Sequence, residues 1–549
     1  MCGIAGILDA TLDRAGQERR IRRMLATLTH RGPDGWGLYF DQGLALGHTR
    51  LSILDLAGGH QPMVSDRYVL AYNGEIYNYI ELREELASRG LAFHSTGDTE
   101  VILKAFEAWG PAALARFNGQ FAFVLWDRRD KRLLAARDRY GVRPLYVLRR
   151  GDQRCFASEM KAFDTLEGFE RTFDMPHLFE HALLWNTLGD KTVYKDIHSV
   201  PAGTYEVFEA GRPFRRERYY EIGETNGRSP GLAAAREEFT ALLEDSVRLR
   251  LRSDVPVANY LSGGIDSSVV THLTARQQRD RFKTFSISFA DGDFDESAFQ
   301  REMAARVQSD HIEERVDYDA INGALGEAVY YGERPLFRTA PVPLWLLSKR
   351  VREQGIKVAL TGEAADEILY GYDSYKELKL LEFWSRRRDS KLRPQLIRRL
   401  YPHLRHFRDP RRFGLMRMFY EGFLDTFNDD LCSLNIRVHN NQVLSNFFHK
   451  DHGLRFDRGR LLEETRRHLP PNFHSWTLLQ RNQFLEMRTL LSGYLLSSQG
   501  DRMAMAHSVE GRFPYLDHRL VEKVFYYRDD FKLRGLRQKA LLRECFDDA

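Results

Sequence analysis

Two hydrophobic rhythms divide the sequence, and no single layer architecture accommodates both. Up to about residue 210, runs such as "LALGHTRLSILD" and "RYVLAYNGEIY" alternate with the two-residue period of strands. Helical spacing there is confined to "NYIELREELASRG" and "DTEVILKAFEAWG", each closed by glycine. "FNGQFAFVLWD", "RLLAARDRYGVRPLYVL" and "TYEVFEAGRPF" again read as strand and turn, so this region is expected to be α+β. The stretch "EIGETNGRSPGLAAAREE", rich in Gly, Ser, Asn and Pro, reads as a linker. Beyond it, "PVANYL", "FKTFSISF", "HIEERVD" and "IKVALTG" are strand-like runs separated by helical segments such as "SSVVTHLTARQQ" and "PLWLLSKRVREQG". That alternation predicts a parallel α/β sheet. The expected layout is one domain over 2–210, a linker over 211–231 and a second domain over 232–549, the part from about 370 to 500 largely helical and irregular.

Composition removes several classes. The formal net charge of +4 over 549 residues gives nucleic-acid binding no global support. One basic run, "SRRRDSKLRPQLIRRLYPHLRHFRDPRRF" (385–413), reads as a solvated helical surface or as a docking patch for an anionic partner. The four cysteines, Cys2, Cys155, Cys432 and Cys545, are scattered without a Cys-x-x-Cys pair, which suits a reducing, cytoplasmic setting. No run of about 18 apolar residues exists, so no membrane span is expected. The opening apolar stretch stops at Asp9 and lacks a basic flank, so no signal peptide is expected either.

The start, "MCGIAGILDA", places a cysteine behind a removable methionine. A free thiol with a pKa of about 8.5 is a weak nucleophile at neutrality and needs a base. With Met1 removed, Cys2 carries its own, an α-amine with a reference pKa of about 7.7–8.0. Arg50, in "GHTRLSILD", is a candidate clamp for a carboxylate. In "YNGEIYN", the Asn73 amide and the Gly74 N–H can hold an oxyanion, although Asn-Gly is also a common hairpin turn. Glu75 and Asp98 are acids able to bind an ammonium; Asp98 equally suits a helix cap.

Further on, "VANYLSGGIDSSVV" is a strand, a glycine-rich turn and a helix start. Ser262, Gly263, Gly264, Ser267 and Ser268 offer hydroxyls and approachable N–H groups to phosphate oxygens. Asp266 among these donors makes better sense facing Mg²⁺. The spacing is not that of the Gly-Lys-Ser/Thr phosphate loop. "IKVALTGEAADEILYGY" repeats the design: Thr361 and Gly362 end a strand, then Glu363 and Asp366 lie one helical turn apart, where like charges repel unless a cation intervenes.

"MCGIAGILD", "RGPDGWG", "HTRLSILDL", "QPM", "YNGEIYN", "STGDTEVIL", "FNGQFAFVLWD" and "RDRYGVRPLY" resemble, in order, the class II glutamine amidotransferase domain of asparagine synthetases. "SGGIDSS" resembles the pyrophosphate loop of ATP pyrophosphatases. The resemblance implies an α+β N-terminal-nucleophile domain of four layers, αββα, followed by an α/β parallel-sheet synthetase domain with added helices. It implies that Cys2 attacks the glutamine amide and that Arg50, the backbone of Leu51, Ser52, Ile53 and Leu54, Asn73, Gly74, Glu75 and Asp98 bind glutamine. It further implies ATP contacts at Leu261, Ile287, Thr361 and Gly362, catalysis by Glu363, magnesium at Asp266 and Asp366, and a pyrophosphate-steadying Lys539 in "LRQKALLREC". Asp501 and Arg502, in "QGDRMAMAHSVEGRFPYLDHRLVE", fall near the acceptor site.

Glutamine-dependent amide synthesis with ATP and Mg²⁺ is the implied activity. Aspartate is the expected acceptor, an internal dry passage for ammonia is expected, and a homodimer is a possibility among relatives. Three departures qualify this. "ERPLFRTAPVPLWLLSK" differs from the usual acceptor loops: Arg338 and Thr339 remain to hold a carboxylate, but Pro341 and Pro343 are expected to stiffen the loop differently. Ala364 stands where the family has glycine, and the basic, Pro-containing tail that relatives carry past "LLREC" is not seen before Ala549. Another carboxylic acid, such as a peptide or natural-product intermediate, therefore stays open as acceptor. A non-catalytic glutamine-binding protein is the remote alternative.

Overall fold

The fold comes from a computed structural model that describes residues 2–209, 212–223, 227–278, 280–291, 295–401, 404, 407, 409–425, 427, 429–448 and 457–547. Two six-stranded sheets build the first region. One runs, in spatial order, Ile197–Ser199, Tyr146–Arg150, Gln153–Ala157, Cys2–Leu8, Leu44–Arg50 and Gly35–Asp41; the other Arg215–Arg218, Thr204–Glu209, Arg132–Arg137, Gly119–Asp127, Tyr68–Ile76 and Met63–Val64. Every strand pair in both is antiparallel.

The two-residue period explains the stacking. Ile4, Leu44, Leu46, Val69, Ala71 and Val124 point between the sheets and form one core. Their neighbours Ala5, Ile7 and Ala45 face outward beneath the helix Arg14–Ala26, whose Ile21, Met24 and Leu25 cover them. On the far side Tyr68, Leu70 and Tyr72 meet Val101, Ile102 and Phe106 of the helix Asp98–Trp109. The result is the expected αββα order. The stretch read as linker begins differently, since Arg215–Arg218 still pairs with Thr204–Val207 as the edge of the second sheet.

From the helix Leu232–Arg250 onward a five-stranded sheet runs Asp310–Val316, Lys283–Phe289, Val257–Tyr260, Val358–Leu360 and Glu510–Arg512, all parallel. Helices such as Ile265–Gln277 and Pro341–Glu353 connect these strands. Pro341 and Pro343 lie in the first turn of the latter helix, where the missing N–H groups are unpaired in any case, so they start a helix instead of stiffening a loop. Among the described residues no helix is long and apolar enough to cross a membrane.

Buried ionic groups hold the two regions together. Arg31 reaches Glu159 at 2.6 Å and Asp501 at 2.9 Å, and Arg502 reaches Glu159 and Glu333 at 3.0 Å each. Burial opposes the Glu159 charge, but His30, Lys161, Arg502 and Arg31 together hold its carboxyl well below the usual range. On another edge Lys357 donates to Asp34 at 2.7 Å, and the Asp55 N–H to Asp254 at 2.7 Å.

Candidate active sites

Cys2 opens the strand Cys2–Leu8 and sits opposite Arg50. Its N–H donates to Asn73 Oδ1 at 3.0 Å, while Asn73 Nδ2 is buried without a partner. One amide thus orients the backbone nitrogen of Cys2 and keeps a donor free beside it. Gly74 has φ of 149°, and a Cβ there would lie 2.1 Å from the Gln120 carbonyl oxygen. Only glycine lets these strands approach at that point. Burial pushes the Cys2 thiol up; the positive chain end, the Leu51 N–H and Arg50 oppose that rise.

A cavity of 30 Å³ lies against Cys2, lined by Arg50, Leu51, Ile53, Leu54, Gly74, Glu75 and Asp98 among others. Asp98 accepts from Tyr72 OH at 2.7 Å and from the Ile76 N–H at 2.9 Å. Burial, then Asp98 and Glu510, pushes Glu75 well above the usual carboxylate range. Arg50 donates to the carbonyls of Asp55 at 2.6 Å and Leu56 at 3.1 Å, so it fastens the segment that covers the cavity. Ser52 departs from expectation. Its N–H donates to Asp34 at 2.8 Å and its carbonyl accepts from Lys357 at 3.3 Å, which turns it away from the cavity and towards the second region.

The second cavity measures 370 Å³ and lies at the carboxyl ends of the parallel strands. Leu261, Ser262, Asp266, Ser267, Ile287, Thr361, Gly362, Glu363, Asp366 and Asp501 all line it. The turn after Val257–Tyr260 is closed by Ser262 Oγ and Ser267 Oγ at 2.9 Å, with Gly263 at φ of 86°. Gly263, Gly264 and Ser268 belong to the turn and helix start without lining the cavity wall.

Two carboxylates converge here on one ammonium, with Glu363 in the same lining. Lys539 Nζ lies 2.5 Å from Asp266 and 2.6 Å from Asp366. Although burial opposes its charge, these two hold Lys539 above its ordinary value. Burial raises Asp266 to about 6, and burial with Asp366 and Asp266 raises Glu363 to about 7. Asp266 Oδ1 is buried without a partner. Ala364 takes φ of 75°, a left-handed conformation that costs a side-chain-bearing residue about 1–2 kcal/mol and explains why glycine would suit the position.

The expected acceptor residues separate. Arg338 donates to Tyr494 OH at 3.0 Å and lies 4.7 Å over Trp185; neither it nor Thr339 lines the cavity. Ala340, Pro343 and Leu344 of the same segment do. Arg502 is fully buried between Glu159 and Glu333 and donates to the Ser158 carbonyl at 3.1 Å, so it is an interdomain strut and not an acceptor clamp.

Sequence reasoning did not single out Arg143, Glu510 or Arg512. Arg143 lines the larger cavity and reaches Asp501 at 3.5 Å and Glu510 at 3.8 Å. Arg512 pairs with Glu510 at 2.6 Å and reaches Glu75 of the smaller cavity at 3.6 Å. Against burial, Arg512 and its cationic neighbours hold Glu510 down to about 2. A file of buried charges therefore runs from one cavity to the other. The signal was present in "RDRYGVRPLY" and "SVEGRFPYLD", whose arginines precede buried apolar runs.

Comparison with known proteins agrees with this division. Residues 1–220 match the family described as Glutamine amidotransferase domain, and residues 238–549 match Asparagine synthase. "Asparagine synthetase [glutamine-hydrolyzing] 1" of Bacillus subtilis is 30% identical over 99% of the chain and 84% of its own length. "Asparagine synthetase [glutamine-hydrolyzing] 3" of the same organism is 29% identical over 100% of the chain and 84% of its own. "Amidase chry2" of Gibberella zeae is 28% identical over 99% of the chain and 86% of its own. With both family matches in sequence order and a relative aligned along nearly its whole length, the chain belongs to the asparagine synthase family and carries an amino-terminal glutamine amidotransferase domain.

Proposed function

We propose that this protein converts a carboxylic acid, aspartate in the first instance, to its amide, using glutamine as nitrogen donor and cleaving ATP to AMP and pyrophosphate. The observation that carries the reading is one three-residue strand serving both cavities. In Glu510–Arg512, the outer two side chains face Glu75 and Arg143, while Gly511 lines the larger cavity.

With Met1 removed, the Cys2 amine accepts the thiol proton and the sulfur attacks the glutamine side-chain carbon. Asn73 Nδ2 and the Gly74 N–H take the developing oxyanion. Ammonia leaves with that proton, and water then frees glutamate from the thioester. A cavity of 30 Å³ holds about one water, so glutamine enters only when the segment fastened by Arg50 lifts.

In the larger cavity the acceptor carboxylate attacks the α-phosphorus of ATP and pyrophosphate departs, with Ser262, Ser267 and Lys539 around the phosphates. Ammonia adds to the acyl carbon and AMP leaves with the bonding electrons. Glu363, raised to about 7, takes the proton that ammonia gives up. Asp266 and Asp366 fit magnesium: both are held by a single ammonium, and Asp266 keeps an unpartnered oxygen, a donor set of the one-or-two-carboxylate kind. Bound there with phosphate oxygens, the ion would supply charge neutralisation for the leaving pyrophosphate. A passage for ammonia between the cavities would run past the ion pairs of Glu75, Arg512, Glu510 and Arg143. The cytoplasmic setting and a homodimer belong to this proposal as well.

A second reading, with a different carboxylic acid as acceptor, has its own support. Among the described residues the cations at the cavity are already engaged: Lys539 with Asp266 and Asp366, Arg143 with Asp501 and Glu510, and Arg338 stacks on Trp185. Aspartate presents a second carboxylate that needs a cation; a monocarboxylic acid does not. Pyrophosphate release across a panel of acids, with mass spectrometry of the product, tests both. The amidotransferase reading falls if no acid gives glutamine-dependent AMP, and the aspartate reading if only other acids do.

A further inference from the structure

A third cavity, of 130 Å³, lies where the amidotransferase sheets meet the helical part of the synthetase domain. Five of its lining residues are cations, Arg137, Lys191, Arg218, Arg334 and Arg488, against a single carboxylate, Glu221. Glu221 is taken up by Arg488 and, at 2.7 Å, by Arg218. Lys191 is answered by Glu464 at 2.6 Å.

Arg137 and Arg334 are different. They are only 7% and 8% exposed, and among the described residues neither has a carboxylate within ion-pairing distance. Arg137 donates to Ser199 Oγ at 2.8 Å and to the carbonyls of Arg143, Val200 and Gly141. Arg334 donates to Asn186 Oδ1 at 3.2 Å, the Gly493 carbonyl at 3.4 Å and Tyr146 OH at 3.2 Å. Their hydrogen bonds are met by neutral groups, and at Arg137 burial, with Arg334 and Arg502 nearby, outweighs the favourable charges of Tyr146 and Asp138. A buried guanidinium whose charge is only partly offset is costly, and an anionic ligand would supply the rest. Consistent with an excess of positive charge, Arg334, Arg502 and Arg137 together outweigh burial and hold the Tyr146 phenol down at about 8.

We propose that this interdomain cavity binds a small phosphate dianion, free or as the headgroup of a short ester. The volume is below the roughly 300 Å³ at which drug-sized ligand sites begin, so a nucleotide does not fit. The five cations come from separate elements: Arg137 from the strand Arg132–Arg137, Arg218 from the strand Arg215–Arg218, Lys191 from the segment before the strand Ile197–Ser199, Arg334 from the segment after the helix Tyr318–Gly332 and Arg488 from the wide helical stretch Met487–Asp501. Ser199 and Ser492 also line the cavity. Donors converging from several directions suit a tetrahedral anion better than a planar carboxylate, whose acceptors lie in one plane. Arg218, with about half of its side chain exposed, marks the side open to solvent.

The test is equilibrium binding of inorganic phosphate and, separately, of glycerol 3-phosphate to the full chain at low ionic strength. A saturable site is expected in the wild type, weakened about tenfold in Arg334→Gln, which removes a charge-assisted hydrogen bond. Lys191→Gln, at the solvent-reached edge, is expected to weaken it about threefold and guards against loss of the fold in the buried variant. Binding of both probes assigns an ester headgroup, and binding of inorganic phosphate alone assigns the free ion. No saturable binding of either probe, or identical affinity in both folded variants, overturns the proposal.

Discussion

The two catalytic cavities are joined by one strand yet prepared in opposite ways. The glutaminase cavity has only 30 Å³ and its Cys2 nitrogen is already held by Asn73, whereas the synthetase cavity has 370 Å³ and two carboxylates gathered on one lysine. The first needs only a segment to lift before reaction. The second keeps its acidic groups on one lysine until a ligand arrives, which suits a site that binds a nucleotide. Preorganisation thus sits where the nucleophile belongs to the protein. It is deferred where nucleophile and electrophile are both brought in.

The sharpest way to break this contrast is Cys2→Ala. Glutamine-dependent synthesis should fall by roughly 10⁴-fold or more, with ammonia-dependent synthesis retained, as followed by AMP release with each nitrogen source. Loss of both in a folded protein would show that the cavities are not separable in function.

Glu363→Gln should do the converse, lowering ammonia-dependent synthesis by about 10²–10⁴-fold while glutaminase activity continues. The pH dependence sharpens this further. Ammonia-dependent synthesis should rise as pH passes about 7, when Glu363 ionises. Its carboxyl is raised in the fold, so wild-type stability is greatest below the unfolded value and is lost as pH climbs to about 7. Unfolding free energies of wild type and Glu363→Gln should therefore diverge in favour of the variant from pH 5 to pH 8, by on the order of 1–3 kcal/mol in denaturant titrations.

Arg502→Met tests the frame instead of either cavity. It leaves Glu333 without its buried ion partner, while Glu159 keeps Arg31 and Lys161, and should cost about 3 kcal/mol in denaturant unfolding. At the small end, Arg388→Ala removes the pair with the exposed Asp425 in the basic run and should change stability by less than about 1 kcal/mol.

The sequence made some of these features legible and hid others, for a physical reason. Cys2, Asn73 and Asp98 lie in short motifs whose residue types announce their chemistry, and the period-two runs around them foretold both stacked sheets. The turn at Ser262–Ser267 was readable because glycine and hydroxyls at a strand end have few other uses. Arg512 and Arg143 were hidden because Glu75, which Arg512 reaches, and Asp501 and Glu510, which Arg143 reaches, come from distant parts of the chain. Periodicity says that a residue is buried, not which charge it meets. Arg338 and Arg502 failed as acceptor residues on the same ground, each having found a partner that no local pattern specifies.

The strand Glu510–Arg512 has one more consequence. Cutting the chain between residues 212 and 231 leaves an amino-terminal fragment in which Glu75 lacks the Arg512 guanidinium that faces it. Such a fragment should be a weaker glutaminase than the full chain. Mixed with its complement, it should recover activity through reassociation of the two pieces, since the residue that completes its acidic pocket travels with the other half.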